Sequence, residues 1–250
     1  MSDTPEFADN VVELGVPVEQ VWDAISTAEG LTGFMADQAE VEPAVGGHVQ
    51  IGWDGDMMPP GTIDAWEPPH RLSVRGNGIA QEWLLEGHGG STTVRLVFNG
   101  YGDTDWDETY DAFDATGALV LEMLLGWLDE HRGARPHKAN ATATLPTNRA
   151  VAWTAALTNL GVRNPVIGDE FELALAGCPV AATLRMYGER NECLFAIPEW
   201  DGARLMLMVR NPTPNSARIT YELTSYGSEN PAAHKRLLAT AELLEKEIRQ

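Results

Sequence analysis

Lysine is nearly absent from this chain, and its first 137 residues contain none. The three lysines, Lys138, Lys235 and Lys246, all lie in the second half. Residues 1–137 carry 5 arginines against 25 aspartates and glutamates, whereas residues 138–250 balance 12 basic against 12 acidic side chains, so the whole formal charge of −20 sits on the first half. Such a field repels nucleic acid and anionic membranes and excludes them as partners of that half. The charged partner it would attract is a basic protein surface or a cation.

Cysteine is scarce as well. Cys178 and Cys193 stand in apolar, strand-like runs with no CxxC and no Cys/His cluster, which excludes a disulfide framework and predicts two buried free thiols. No apolar run approaches the length that spans a bilayer, and the start MSDTPEFADN lacks a basic region followed by an apolar one. The expectation is a soluble cytoplasmic protein without membrane insertion. The histidines (His48, His70, His88, His131, His137, His234) show no HxxxH spacing, so no metal site is expected from them. There is no GxSxG elbow, phosphate-binding glycine loop or dinucleotide fingerprint, and no cofactor is expected. Gly87-His-Gly-Gly90 lies between two strands and reads as a hairpin turn, not an anion cradle.

What the chain does have is a repeat. Glu42-Pro-Ala-Val-Gly-Gly-His-Val-Gln-Ile51 returns as Asn164-Pro-Val-Ile-Gly-Asp-Glu-Phe-Glu-Leu173, an offset of 122. Val94, Leu96, Phe98, Tyr101 and Gly102 return as Ile219, Tyr221, Leu223, Tyr226 and Gly227, an offset of 125. Pro17 and Pro146 each open an apolar helical run. A period this long means two copies of one domain, placed at 1–134 and 139–250.

Periodicity fills in each copy. The first reads as an extended edge over 8–16, a short helix after Pro17, a turn of helix over 31–35, strands near 48–53, 61–66, 71–75, 81–86 and 92–98, and a long helix over 109–131. The second reads as a strand at 139–145, a helix at 147–160, strands near 169–175, 180–187, 192–198, 203–210 and 216–225, and a helix at 231–249. Short strands joined by tight turns make antiparallel sheets, and the helices must cover one face of each, an α+β arrangement.

The first half resembles the START-like (SRPBCC, Bet v 1-like helix-grip) superfamily, in the branch named after the activator of Hsp90 ATPase. The residues that carry the resemblance are Val16-Pro-Val-Glu-Gln-Val-Trp-Asp-Ala-Ile25, Gly30-Leu-Thr-Gly-Phe34, Val45-Gly-Gly47, Gly61-Thr-Ile-Asp-Ala-Trp-Glu-Pro-Pro-His-Arg-Leu72 and Gly126-Trp127. The second half keeps the Gly168 turn and the final helix but shows no counterpart of Trp66-Glu-Pro-Pro-His-Arg71. The resemblance implies two domains, each a curved antiparallel sheet wrapped around a long C-terminal helix, with an apolar cavity between them and a hydrophobic small molecule or lipid as ligand. It also implies two alternatives: a cyclase, dehydratase or hydrolase working in that cavity, or a protein-interaction module. The two domains could pack as an intramolecular pseudo-dimer.

Candidate cavity residues follow from the aromatic and apolar pattern: Phe34, Trp53, Trp83, Phe98, Phe113 and Leu124. Asp64, Glu82, Arg95 and Tyr101 are the polar groups that could reach inward, and a carboxyl held in an apolar pocket could act as a general acid. A one-residue slip would put Asp64 or Glu82 in solvent. In the window Asp103–Asp114, carboxylates fall at positions 1, 3, 5, 9 and 12, as in a calcium loop. Glu108 replaces the required glycine and a strand precedes it, so the window reads as an acidic loop stabilising the start of a helix.

Overall fold

The computed structural model describes residues 7–53, 55–76, 78–100, 106–188, 191–213 and 215–248; the side chains of 106–115, 211–212 and 247–248 lie outside that description. The chain divides into two compact units, Met1–Ala134 and Arg135–Gln250.

The first unit runs β1 (Ala8–Leu14), α1 (Val18–Ser26), α2 (Ala28–Phe34), β2 (Gln38–Val41), β3 (His48–Trp53), β4 (Asp56–Met57), β5 (Gly61–Glu67), β6 (Arg71–Gly76), β7 (Ile79–Gly87), β8 (Thr92–Gly100) and α3 (Trp106–Leu125). A π-helical turn, Gly126–Glu130, ends α3. Pro17, with φ of −60°, leads into α1, whose buried face is Val21, Trp22, Ala24 and Ile25. Thr27 then stops α1 and caps α2, its Oγ1 accepting a hydrogen bond from Gly30 N at 3.0 Å. The strands pair antiparallel in the order β1-β8-β7-β6-β5-β3-β2, with β4 beside β3.

The second unit runs β9 (Pro136–Leu145), α4 (Arg149–Asn159), β10 (Glu170–Leu175), β11 (Cys178–Gly188), β12 (Glu192–Ile197), β13 (Ala203–Thr213), β14 (Ser216–Tyr226) and α5 (Pro231–Ile248). Its sheet order, β10-β11-β12-β13-β14-β9, is the first order with β2 removed. In both units one face of the sheet and the helices share a single apolar core. Each is a helix-grip domain.

The internal repeat holds at the level of single hydrogen bonds. Gly46 N donates to Ile63 O at 2.8 Å and Ile63 N to Gly47 O at 2.9 Å; Gly168 N donates to Leu184 O at 2.8 Å and Leu184 N to Asp169 O at 2.9 Å. Both turns need a left-handed residue, with φ of 86° at Gly46 and 94° at Gly168, a conformation glycine reaches without a Cβ penalty. A β-bulge follows at the same place in each copy, between Ile63 and Ala65 and between Leu184 and Met186. Trp22 meets Trp66 edge-on at 5.1 Å, and Trp153 meets Tyr187 at 5.8 Å. Tyr187 is therefore the counterpart of Trp66 that the second half did not show as a sequence.

One segment is not repeated. From the helix N-caps Pro17 and Asn148 to Gly46 and Gly168 the chain runs 29 and 20 positions, and the shortfall of nine covers the loss of the seven-residue α2. In the second copy the chain leaves α4 and returns at once to the sheet, where Ala174 N donates to Leu160 O at 3.0 Å. Neither α2 nor β2 has a counterpart there.

Among the described cysteines, Cys193 is buried as expected, but Cys178 is exposed at the start of β11. The apolar run around Cys178 belongs to a strand whose first residues stand beyond the covered part of the sheet.

Candidate functional site

The face of the first sheet that meets the helices is fixed by strand alternation. Ala8, Asn10, Val12 and Leu14 of β1, Leu72 and Val74 of β6, Ile79, Gln81, Trp83 and Leu85 of β7, and Thr92, Val94, Leu96 and Phe98 of β8 point inward. Across one row, Leu72, Trp83 and Leu96 stand side by side and are at most 3% exposed. Phe34 and Leu124 join them from the helices, also fully buried. These form solid core.

The other end of the same face is only partly covered. Val49, Ile51, Val74 and Ile79 pack on the core but stay half-buried, as does Trp53, whose Nε1 donates to Met35 O at 3.0 Å. Gln81 lies here between Val74 and Phe98, half-buried. Five apolar side chains and one carboxamide thus line a partly open end of the grip. A second carboxamide sits deeper: Asn10 Nδ2 is buried without a hydrogen-bond partner, against Gly117 of α3, where any Cβ would come within 2.4 Å of it. Asn10 and Gln81 followed from no motif; an amide at an inward position of an alternating strand was the available signal.

Of the predicted cavity residues, Phe34, Trp83, Phe98 and Leu124 belong to one buried cluster, and Trp53 stands at its open edge. Tyr101 lies outside the described residues, as does the side chain of Phe113. So do positions 103–105 of the acidic window and the side chains of the rest of it. Among the described residues, no three His, Cys, Asp or Glu side chains gather to hold a metal.

The three predicted charged residues are placed on the opposite, convex face. Arg71 Nε donates to Glu82 Oε1 at 2.7 Å and its Nη1 to Glu67 Oε1 at 3.0 Å. Arg75 donates to Asp64 at 3.1 Å, and Arg95 grips Asp9 in two bonds of 2.8 and 2.6 Å. The hydrogen bond to Glu82, then that to Glu67, holds the Arg71 guanidinium more firmly protonated, and Asp9 does the same for Arg95. The reason for Asp64 is the bulge beside it, which lets Ile63 and Trp66 both face inward and leaves Asp64 outside. Glu82 and Arg95 flank inward residues and so face out by parity. Among the described inward positions of β1, β3 and β5–β8 there is no charged side chain.

In the second domain the equivalent row carries Cys193, Leu207 and Tyr221. Both end residues are fully buried, and the Tyr221 hydroxyl has no hydrogen-bond partner. Burial, reinforced by Glu192, pushes the Cys193 thiol well above its ordinary 9.0; burial, with Cys193 beside it, pushes the Tyr221 phenol well above 10.0. At pH values between the ordinary and the raised ones, the unfolded chain has lost these protons and the folded chain keeps them. Stability must therefore fall by about 1.4 kcal/mol per pH unit as pH rises above about 9 for Cys193, and by a further increment of that size above about 10 for Tyr221. Melting of the second domain is expected to hold steady up to about pH 9 and then drop, with a shallower drop in a Cys193→Ala/Tyr221→Phe double variant. An equal drop in both proteins would contradict this.

A curved antiparallel sheet closed over a C-terminal helix, with an apolar inner face partly open at one end, places the first domain in the START-like helix-grip class. Residues 15–124, most of the first domain, match the family described as Activator of Hsp90 ATPase homolog 1-like protein. No curated protein matches the chain. Among solved structures, DynU16, from the dynemicin biosynthetic locus, is similar over 96% of both chains, at 16% identity and a TM-score of 0.45. The Aha1 dimer structure from Colwellia psychrerythraea is similar over 49% of this chain and 96% of that one, at 19% identity and a TM-score of 0.42. CalU16 from Micromonospora echinospora is similar over 51% of this chain and 74% of its own, at 20% identity and a TM-score of 0.41. At such scores these likenesses say nothing of function. No described helix is long and apolar enough to cross a membrane.

Proposed function

We propose that the first domain binds an uncharged, largely apolar small molecule or lipid at the partly open end of its grip. The observation that carries this reading is the gradient of burial along one apolar face. Leu72, Trp83 and Leu96 are sealed, while Val49, Ile51, Trp53, Val74 and Ile79 on the same face remain half-buried. An apolar face left partly open gains stability from whatever apolar surface covers it. A ligand that buries about 300 Å² there would gain about 7 kcal/mol from area, which corresponds to about 10 μM before the costs of association, so binding weaker than that is expected from area alone. Gln81 at the mouth can fix the orientation of a neutral oxygen or nitrogen on the ligand.

Catalysis by the acids first considered is not supported, because Asp64 and Glu82 are committed to arginines on the convex face. Titration with an apolar fluorophore, N-phenyl-1-naphthylamine, tests the reading. Saturable binding is expected, weakened at least tenfold by Ile79→Asp at a temperature where the variant is still folded. Glu82→Gln should bind as the wild type does. Equal affinity in Ile79→Asp, or loss of binding in Glu82→Gln, would sink the assignment.

A further inference from the structure

The inner face of the second sheet ends in polar side chains. Along β9 the inward positions run from Ala143 and Ala141 through Ala139 to His137, and along β14 from Tyr221 through Leu223 to Ser225, which pairs with His137. Ala8 pairs with Phe98 and Ala139 with Leu223, so the offset of 125 between β8 and β14 sets Ala8 against Ala139. In sequence, His137 then falls on Glu6 and Ser225 on Gly100, a reversal of charge and a gain of a hydroxyl. Between these strand ends and the start of α5 lies a cavity of about 430 Å³, lined by His137, Lys138, Leu223, Ser225, Asn230 and His234 among others. That volume suits a small organic molecule.

The hydrogen bonds already made there decide what the cavity can still offer. His234 Nε2 lies 3.3 Å from Asn140 O, and a carbonyl only accepts, so Nε2 carries the proton. Asn230 Oδ1 accepts from Ala233 N at 3.0 Å and its main-chain O from His234 N at 3.1 Å, which leaves the Asn230 carboxamide its Nδ2, a donor. These bonds engage N–H groups in the first turn of α5, so side chains and not the helix end give the cavity its polarity. Ser225, 6% exposed, donates its Oγ to His137 O at 3.3 Å. Lys138, His137 and His234 bring one positive charge and two imidazoles; the one carboxylate among the described lining residues is Glu229, at the rim and 81% exposed, with Oε1 3.9 Å from His137 Nδ1. Residues 138–250 carry balanced charge, so an anion approaching this half meets no net repulsion from it.

We infer that this cavity binds an organic anion, a carboxylate whose charged end meets His137, Lys138 and His234 and whose apolar part lies against Ala139 and Leu223. Its ligand thus differs in class from the neutral one proposed for the first domain. Of the four ionisable groups facing the cavity, His137, His234, Lys138 and Glu229, only the histidines are of the type that changes charge near neutral pH. A carboxylate favours their protonated form, so binding takes up protons and tightens as pH falls through that range.

Isothermal titration of the full chain carrying Ile79→Asp, which disables the first domain's site, tests this with octanoate and its uncharged counterpart octanamide. Octanoate is expected to bind at least tenfold more tightly than octanamide, and more tightly at about pH 6 than at about pH 8. Adding His137→Gln/His234→Gln should weaken octanoate at least tenfold, the scale of charged hydrogen bonds lost. Adding Glu229→Gln instead, a change at an exposed position that leaves the fold alone, should tighten it about two- to fivefold. Equal affinity for the two probes, no octanoate binding, or wild-type affinity in the folded double histidine variant would overturn the inference. So would unchanged or weaker binding in Glu229→Gln, which decides the matter even where the histidine variant fails to fold.

Discussion

Replacing Trp83 with alanine is expected to lower the stability of the first domain by about 3–5 kcal/mol, the cost of removing a large buried aromatic side chain. Trp83 is 3% exposed and stands between Leu72 and Leu96 in one cross-strand row, so no ligand volume is available to absorb the loss. Against a total of about 5–15 kcal/mol for an ordinary domain, that is enough to bring unfolding close to working temperature. Calorimetry would show the first domain's transition moving down while the second stays in place. If Trp83 lined an open cavity, the variant would cost less than about 1 kcal/mol, as exposed substitutions do, and would enlarge the site. The substitution therefore separates core from cavity at the residue where the two readings differ most.

Gly30→Ala is expected to be nearly as damaging, for a backbone reason. The added methyl would lie 2.3 Å from the Ala24 carbonyl oxygen and 2.4 Å from that of Asp23, and neither can rotate away as a side chain could. Helix α2 would have to lift off α1, pulling Leu31 and Phe34 from the core and disturbing the stack of Phe34 on Trp127 at 6.2 Å. Overpacking of this kind costs about 1–3 kcal/mol where neighbours can yield, and about 3 kcal/mol is expected here because they cannot. The measurement is the first domain's melting temperature; an unchanged value would mean that α2 is not held as described.

Much of the fold was legible because both copies obey the same simple periods. Strand alternation around Val94, Leu96 and Phe98 put these residues inward, and all of them are buried. The turn at Gly46 and Gly168 was visible because only glycine takes that backbone conformation readily. The charged candidates were harder. Arg95 sits between two inward residues, so parity alone put it outside, but its partner Asp9 is 86 positions away in sequence and nothing local announces the pair. Asp64 shares the parity of Trp66, which faces inward, and only the bulge between them reverses its side. Tyr187 was missed as the partner of Trp66 because the aromatic class is kept while the residue and its surroundings change. The loss of α2 from the second copy shows as a shortened spacing before Gly168, which gains meaning only once the helix filling it in the first copy is known.

The central claim is a neutral apolar ligand at the partly open end of the first domain. Its most direct test is the mass of the protein purified from its own host, measured under native and then denaturing conditions. The account predicts an excess of a few hundred daltons, on the scale of one drug-sized or lipid-sized molecule, lost on denaturation and absent from Ile79→Asp. An identical native and denatured mass, together with no uptake of an apolar fluorophore by the wild-type chain, would contradict it.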